Sequence, residues 1–421
     1  MKMETLKTKN ISIRRIFLCR GAWLQFWASN ILRLRWSIIW NVARMLLCRN
    51  GLGYHEYSCP KCNSKKRIPH TCKSRFCSSC GKVATDRWVE TSLSQILDVE
   101  YKHLVFTLPA EFRGWFLQNR KVCLNAFFIV VKDTILDYAR QNGFRPGLIL
   151  VLHTFGSDLK WNPHIHVIIT AGGLSLKNDQ WLKCHYLPQK VIRPIYRYRF
   201  LKQFKKLFKQ GLLKPPPACR NIKSYETFNS WLTQLYNKEW YVNLGKTLRE
   251  SGHTVRYVGR YSKRPVMAEY RIKSFDGSLV TFSYKDHSTS QCLYTTTTVE
   301  EFISKLITHI PDINFRNIRH AGIFANRVRT KLLSTARIIL NQTPKHKPVP
   351  LSFQQRYKKT FNIDPLQCNN CGDKMLLSHI VIIHTETIYE RVENKHQELL
   401  KNYHAQKEQK EKDRAFKPRS P

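Results

Sequence analysis

The spacing of apolar residues changes along the chain, and each change marks an expected element. Residues 12–50 carry apolar positions at helical spacing among arginines and read as basic amphipathic helix. Residues 51–95 hold a cysteine cluster. From Tyr101 the period shortens, predicting strands at His103–Pro109, Leu148–Phe155 and His164–Thr170. A helical run, Trp115 to Tyr138, separates the first two and gives a strand–helix–strand–strand order. Residues 174–250 are richer in basic residues, contain Pro215-Pro216-Pro217, and are expected as an insertion beside the sheet. A short helix is expected at about Thr254 to Lys263, then a hairpin over Tyr270 to Tyr284 turning at Asp276-Gly277. From Glu386 onward Lys, Glu and Gln alternate with few apolar anchors, as in a frayed helix or a disordered tail. No internal repeat is visible.

Charge changes the picture most. The chain of 421 residues has 71 Lys and Arg against 29 Asp and Glu, a formal +42. Such an excess repels itself and implies a polyanionic partner, against the blander alternative of a ribosome-associated or generic basic protein. Aromatics interleave with the cations, as in Tyr196-Arg197-Tyr198-Arg199-Phe200 and Trp181-Leu182-Lys183. That mixture suits a single strand whose bases stack while its phosphates pair with cations. No secretory signal is read at the N-terminus. The most apolar early stretch, Trp23 to Leu47, carries Arg33, Arg35 and Arg44, which argues against a membrane span. Thirteen cysteines, several in C-x-x-C pairs, fit metal-bound thiolates in a reducing cytoplasm. With a nucleic-acid partner, a nucleoid-associated location is expected.

The cysteine cluster runs Cys59-Pro-Lys-Cys62, then Cys72, then Cys77-Ser-Ser-Cys80. Two C-x-x-C knuckles separated by 14 residues match one tetrahedral Zn2+ site, each turn presenting two thiolates. Cys72 is a fifth claimant, while His55 and His70 are weaker candidates. Lys73, Arg75 and their basic neighbours fit the module to a DNA backbone, unless it is a structural ribbon that happens to be basic. A second pair, Cys368-Asn-Asn-Cys371, supplies half a site that His379 and His384 could complete.

In Pro163-His164-Ile-His166-Val, residues two apart on a strand share a face, so both imidazoles project together. Two imidazoles suit a divalent metal with open positions for a phosphate oxygen. His153, on the preceding strand of the same hairpin, is the chosen third ligand; Asp158 and His103 are rivals. Taken alone, the pattern also fits two half-exposed histidines with no metal. Downstream, Tyr257 and Tyr261 lie four apart on one helix face, with Pro265 just beyond. Gly259 between them weakens a helix but allows close approach of a backbone. Arg256, Arg260, Lys263 and Arg264 stand ready for phosphates. A phenol is a weak nucleophile unaided, and a metal that polarises a phosphodiester compensates in part. The plain alternative is an amphipathic helix with core tyrosines.

The motif order Phe106-Thr-Leu-Pro109, Asn162-Pro-His164-Ile-His166, Tyr257-x-x-x-Tyr261 resembles the two-tyrosine HUH endonucleases, and most the transposases of the insertion sequence 91 family. Ala84-Thr-Asp-Arg-Trp88 after the cysteines is similar to that family's N-terminal zinc-binding domain, and Arg319-His320-Ala-Gly322-Ile-Phe-Ala-Asn326-Arg327 to its segment after the catalytic core. The likeness runs from about residue 20 to 380. It implies an α+β fold, a central antiparallel sheet with helices on one face, plus a small N-terminal zinc-binding domain. The expected division is a helical segment 1–50, a zinc domain 51–95, a catalytic domain 96–290, a C-terminal region 291–384 and a tail 385–421. Implied too is rolling-circle transposition: a transposon end nicked by Tyr257 or Tyr261 through a 5′-phosphotyrosine, with Mg2+ or Mn2+ on His164, His166 and a third ligand. The partners would be single-stranded DNA at transposon ends and target DNA. A replication initiator or relaxase would share the chemistry; a non-catalytic zinc protein that binds nucleic acid is the reading from another class.

Overall fold

The computed structural model describes residues 11–415, apart from Arg75, Ser79 and residues 185–186, 246–258, 260–265, 287–288 and 345–347. The N-terminal apolar stretch forms three helices, α1 (Ile13–Leu18), α2 (Ala22–Ser29) and α3 (Trp36–Leu47), where one was expected. Arg20 takes a φ of 50° between the first two, a left-handed conformation that ends a helix. The break lets Phe17, Trp23, Trp27, Ile39 and Val42 all turn into one core. Hairpin β1 (Gly53–Ser58) and β2 (Lys65–Pro69) then brackets the first cysteine knuckle. Helix α4 (Gly81–Leu93) follows the second.

The middle of the chain builds the central layer. Strand β3 (Tyr101–Phe106) leads into α5 (Phe112–Gln118) and α6 (Arg120–Gln141). These two replace the single helix expected from Trp115; the break falls at Asn119, whose side chain bonds the carbonyls of Trp115 and Lys214. Next come β4 (Phe144–Arg145), β5 (Gly147–Phe155), β6 (Trp161–Thr170), β7 (Gly172–Ser175) and β8 (Trp181–Lys183). Helices α7 (Gln189–Lys209) and α8 (Tyr225–Tyr236) precede β9 (Val242–Leu244). A second small sheet follows, β10 (Ile272–Phe275), β11 (Leu279–Lys285) and β12 (Cys292–Thr298), whose first two strands are the expected hairpin. Helix α9 (Val299–Ile307), strand β13 (Ile318–Gly322), helices α10 (Arg329–Ile339) and α11 (Phe353–Phe361), strand β14 (Leu376–Ile382) and helix α12 (Thr385–Ala415) complete the described chain.

The fold is α+β around a five-stranded sheet of order β13-β5-β6-β3-β9, antiparallel at every pairing. Leu104, Phe106, Leu148, Leu150, Leu152, Ile165, Val167 and Ile169 point from one face into a core shared with α5 to α8. Within the stretch expected as an insertion, α7 buries Tyr196, Phe200 and Phe204 in that core, and β9 extends the sheet. The resemblance implied helices on one face only. Here α4 and α10 also cover part of the other, where Trp88, Val89, Leu332 and Leu333 meet Tyr101, Ile149, Val151 and Ile168.

The C-terminal elements return to the N-terminal ones. Strand β14 pairs antiparallel with β1. The charged stretch from Thr385 is helical and uses its sparse apolar residues at helical spacing: Ile388 and Val392 are buried against the core of α1 to α3. Tyr389 meets the edges of Trp36 and Trp40, and His396 stacks on Trp27.

Candidate catalytic centre and cysteine centres

Strands β5 and β6 pair with His153 opposite His164 and Val151 opposite His166. Opposed residues share a face, so the alternation that sends Leu152, Ile165 and Val167 into the core sends His153, His164 and His166 to the other side. One nitrogen from each ring lies within 4.8 Å of the other two. Pro163 is tolerated in this central strand because it lies past Phe106, the last residue of β3 to pair, and beside a register shift between β5 and β6.

The remaining nitrogens are held from outside. His164 Nδ1 is 2.7 Å from the Asn162 carbonyl, and His166 Nδ1 is 2.8 Å from His103 Nε2 on β3. With Nδ1–H donating in both cases, each Nε2 is left to face the cluster. The His103 and His166 rings are parallel within 3°. Burial pushes His103 down to about 4, and burial with three neighbouring imidazoles holds His166 well below the usual histidine range. Both rings are neutral at physiological pH, the form that coordinates a metal. Of the two rivals for third ligand, His103 therefore sits behind His166, and Asp158 is paired with Lys160 at 3.0 Å.

Tyr257 and Tyr261 lie outside the described residues, as do Arg256, Arg260, Lys263, Arg264 and Arg75. Gly259 is described: it is helical, buried and packed on α4. A Cβ there would meet Val89 Cγ2 at 2.6 Å, so a larger residue would force the two elements apart. Val89 and Trp88 belong to the layer on the imidazole-bearing face of the sheet. Lys73 is exposed, with a φ of 52°.

The cysteines group differently from the expectation. Cys77 and Cys80 do not join Cys59 and Cys62; they gather with Cys72 and with Cys48 at the end of α3, and all four are buried. Cys80 Sγ lies 3.6 Å from both Cys48 Sγ and Cys72 Sγ. The backbone N–H of Cys72 points at Cys48 Sγ and that of Ser74 at Cys72 Sγ, each at 3.4 Å, as thiolates require. Cys59 and Cys62 instead meet Cys368 and Cys371. The reason is the pairing of β14 with β1, which carries the distant pair across the first knuckle. His379 and His384 are not in that group, and neither His55 nor His70 joins a cysteine; the two rings lie edge to face at 4.8 Å. Sequence reasoning missed Cys48, whose one cue was that Cys72 lacked a companion.

A strongly basic chain with a convergent imidazole face and clustered thiols is consistent with a DNA-processing class, and the comparisons with known proteins supply that class. Residues 147–331 match the transposase family Y2_Tnp, and residues 18–108 match Zn_Tnp_IS91, the transposase zinc-binding domain. The chain is 32% identical to the transposase for insertion sequence element IS801 of Pseudomonas savastanoi pv. phaseolicola, over 80% of its own length and 82% of that protein. It is 29% identical to the Sinorhizobium fredii transposase-type protein y4qJ, over 79% of its length and 86% of that protein. The chain belongs to the IS91 family of transposases and has that family's N-terminal zinc-binding domain. No solved structure matches it. Among the described residues, no helix is long and apolar enough to cross a membrane.

Proposed function

We propose that this transposase nicks and rejoins single-stranded DNA by tyrosine transesterification, in a rolling-circle mode of transposition. The observation that carries the reading is that His153, His164 and His166 converge on the face of the sheet that α4 partly covers, and that Gly259, which lies between the two tyrosines in the chain, packs on α4. Three converging imidazoles fit a divalent ion with positions left open. Nitrogen donors favour Mn2+ over Mg2+. Such an ion would polarise the scissile phosphate.

The chain's own groups do the rest. The phenol oxygen of Tyr257 or Tyr261 attacks phosphorus, the bond from phosphorus to the 3′ oxygen breaks, and the phenol's proton leaves with the 3′-hydroxyl. The 5′ end stays on the tyrosine as a phosphodiester, so a later hydroxyl can displace the phenol without any external energy source. A second tyrosine allows a second strand to be taken up before the first is released. Arg256, Arg260, Lys263 and Arg264 neutralise the flanking phosphates, and Lys73 and Arg75 grip the backbone from the zinc domain. Cys48, Cys72, Cys77 and Cys80 hold that domain's structural Zn2+.

The test is incubation with an oligonucleotide carrying the element's own terminus and Mn2+. A covalent protein–DNA adduct that survives denaturation is expected, and should vanish in the Tyr257→Phe, Tyr261→Phe double variant. Tight binding with no adduct from any terminus, strand or metal would make the protein a binder of DNA and not a nuclease.

A further inference from the structure

We propose that Cys59, Cys62, Cys368 and Cys371 hold a second zinc ion, which fastens the chain around residue 370 to the N-terminal hairpin. Tetrahedral coordination at about 2.3 Å places thiolates about 3.8 Å apart. Cys59 Sγ lies 3.4 Å from Cys371 Sγ, and Cys62 Sγ lies 3.6 Å from Cys368 Sγ and 3.5 Å from Cys371 Sγ.

The backbone makes the argument independently of the sulfurs. In the first knuckle the N–H of Cys59 donates to the Ser64 carbonyl at 2.9 Å, and that of Asn63 to the Cys59 carbonyl at 2.9 Å. In the second the N–H of Cys368 donates to the Asp373 carbonyl at 2.8 Å, and that of Gly372 to the Cys368 carbonyl at 3.1 Å. The offsets are identical, and the residue after the second cysteine is left-handed in both, Asn63 at φ 54° and Gly372 at φ 76°. Two loops 306 residues apart are thus the same device, facing each other. Among the described residues, Cys77 and Cys80 show no such bonds, and α4 begins directly after Cys80. The Ser64 hydroxyl lies 3.2 Å from Cys62 Sγ and 3.0 Å from Cys368 Sγ, a donor placed between the two halves. Lys66 Nζ reaches the Gln367 carbonyl at 3.3 Å, bringing a positive charge to a centre that four thiolates make negative.

The two zinc centres differ in access. The four thiols of the first are all buried, whereas Cys62 is exposed and Cys371 half-buried. The outer ion is therefore the first to be lost to a chelator, and with it the coordinate tie between the two loops.

The full-length protein, purified without chelators, tests this by native mass spectrometry and cysteine alkylation. Two zinc ions per chain are expected. Brief EDTA treatment should release one, and Cys59, Cys62, Cys368 and Cys371 should then alkylate before Cys48, Cys72, Cys77 and Cys80. The Cys368→Ser, Cys371→Ser variant should retain one ion. A single zinc in the unmodified protein would overturn the proposal. So would alkylation of Cys368 and Cys371 that is unaffected by EDTA, or that appears only after reductant and so reports a disulfide; both readings use the natural sequence and do not depend on the variant folding.

Discussion

The imidazole centre and the cysteine centres gather ligands in opposite ways. His153, His164 and His166 come from neighbouring strands of one hairpin and, among the described residues, number three. The cysteines close in fours, and each set draws on parts of the chain that only the tertiary fold brings together. Three ligands leave room for a substrate oxygen, so the histidine group suits a reaction; four thiolates leave none, so the cysteine groups suit architecture. The open group is held from behind, with His103 and the Asn162 carbonyl fixing two of its rings. A reacting centre needs its geometry set before substrate arrives, whereas a structural one needs only to be complete.

The strongest way to break this contrast is His166→Ala. On the proposed mechanism His166 is a ligand of the divalent ion, and its loss should remove several kcal/mol of transition-state stabilisation, about a thousandfold in nicking rate. Zinc content and the melting temperature should stay near those of the parent, measured by mass spectrometry and calorimetry. Full nicking activity in that variant would remove the imidazoles from the chemistry. His103→Ala sharpens the contrast: as a positioning residue behind His166, its loss should weaken the apparent Mn2+ affinity by about 10- to 100-fold. The readout is the Mn2+ concentration at half-maximal nicking, which a merely structural role would leave in place.

Acid supplies a smaller effect, on the sheet region apart from its metal ligands. Burial holds both His309 and His320 at about 4. His309 is buried between the Thr154 hydroxyl and the Leu159 carbonyl, at 3.1 and 3.0 Å. Unfolded, each titrates near 6.5, so between these values the unfolded chain binds more protons and stability rises with pH. Each ring's contribution is whole above about pH 6.5 and is lost as pH falls towards 4, up to about 3 kcal/mol apiece. Denaturant midpoints across that window should fall with acid, and less steeply in His309→Gln. A flat profile would mean that these rings are not buried as described.

The histidine side of the comparison was legible in the sequence because its geometry is local. A period of two and a short turn are enough to place His153 opposite His164 on one face. The cysteine side was not, since nothing near Cys59 announces that its partners lie around residue 370. The two-knuckle spacing pointed instead to a single site shared with Cys77 and Cys80. Cys48 was hidden at the end of an apolar helix, where a buried thiol usually means packing alone. Strand β13 escaped notice because Ile-Arg-His-Ala-Gly has no clear alternation; as an edge strand it is half-covered on both faces. The helicity of α12 was open to either reading, and what decides it is the set of tryptophans on α2 and α3 that receives Tyr389 and His396.

The ladder between β1 and β14 also sets a schedule. The Ser378 hydroxyl bonds the Glu56 carbonyl across 322 residues of chain. At about 5 to 20 residues per second, a ribosome needs roughly 15 to 65 seconds to deliver the later strand after the earlier one has emerged. Throughout that interval β1 has one bare edge, of the kind that invites mispairing. A message cut short before residue 376 would leave that edge bare for good, so a strand made late in synthesis completes a sheet begun early.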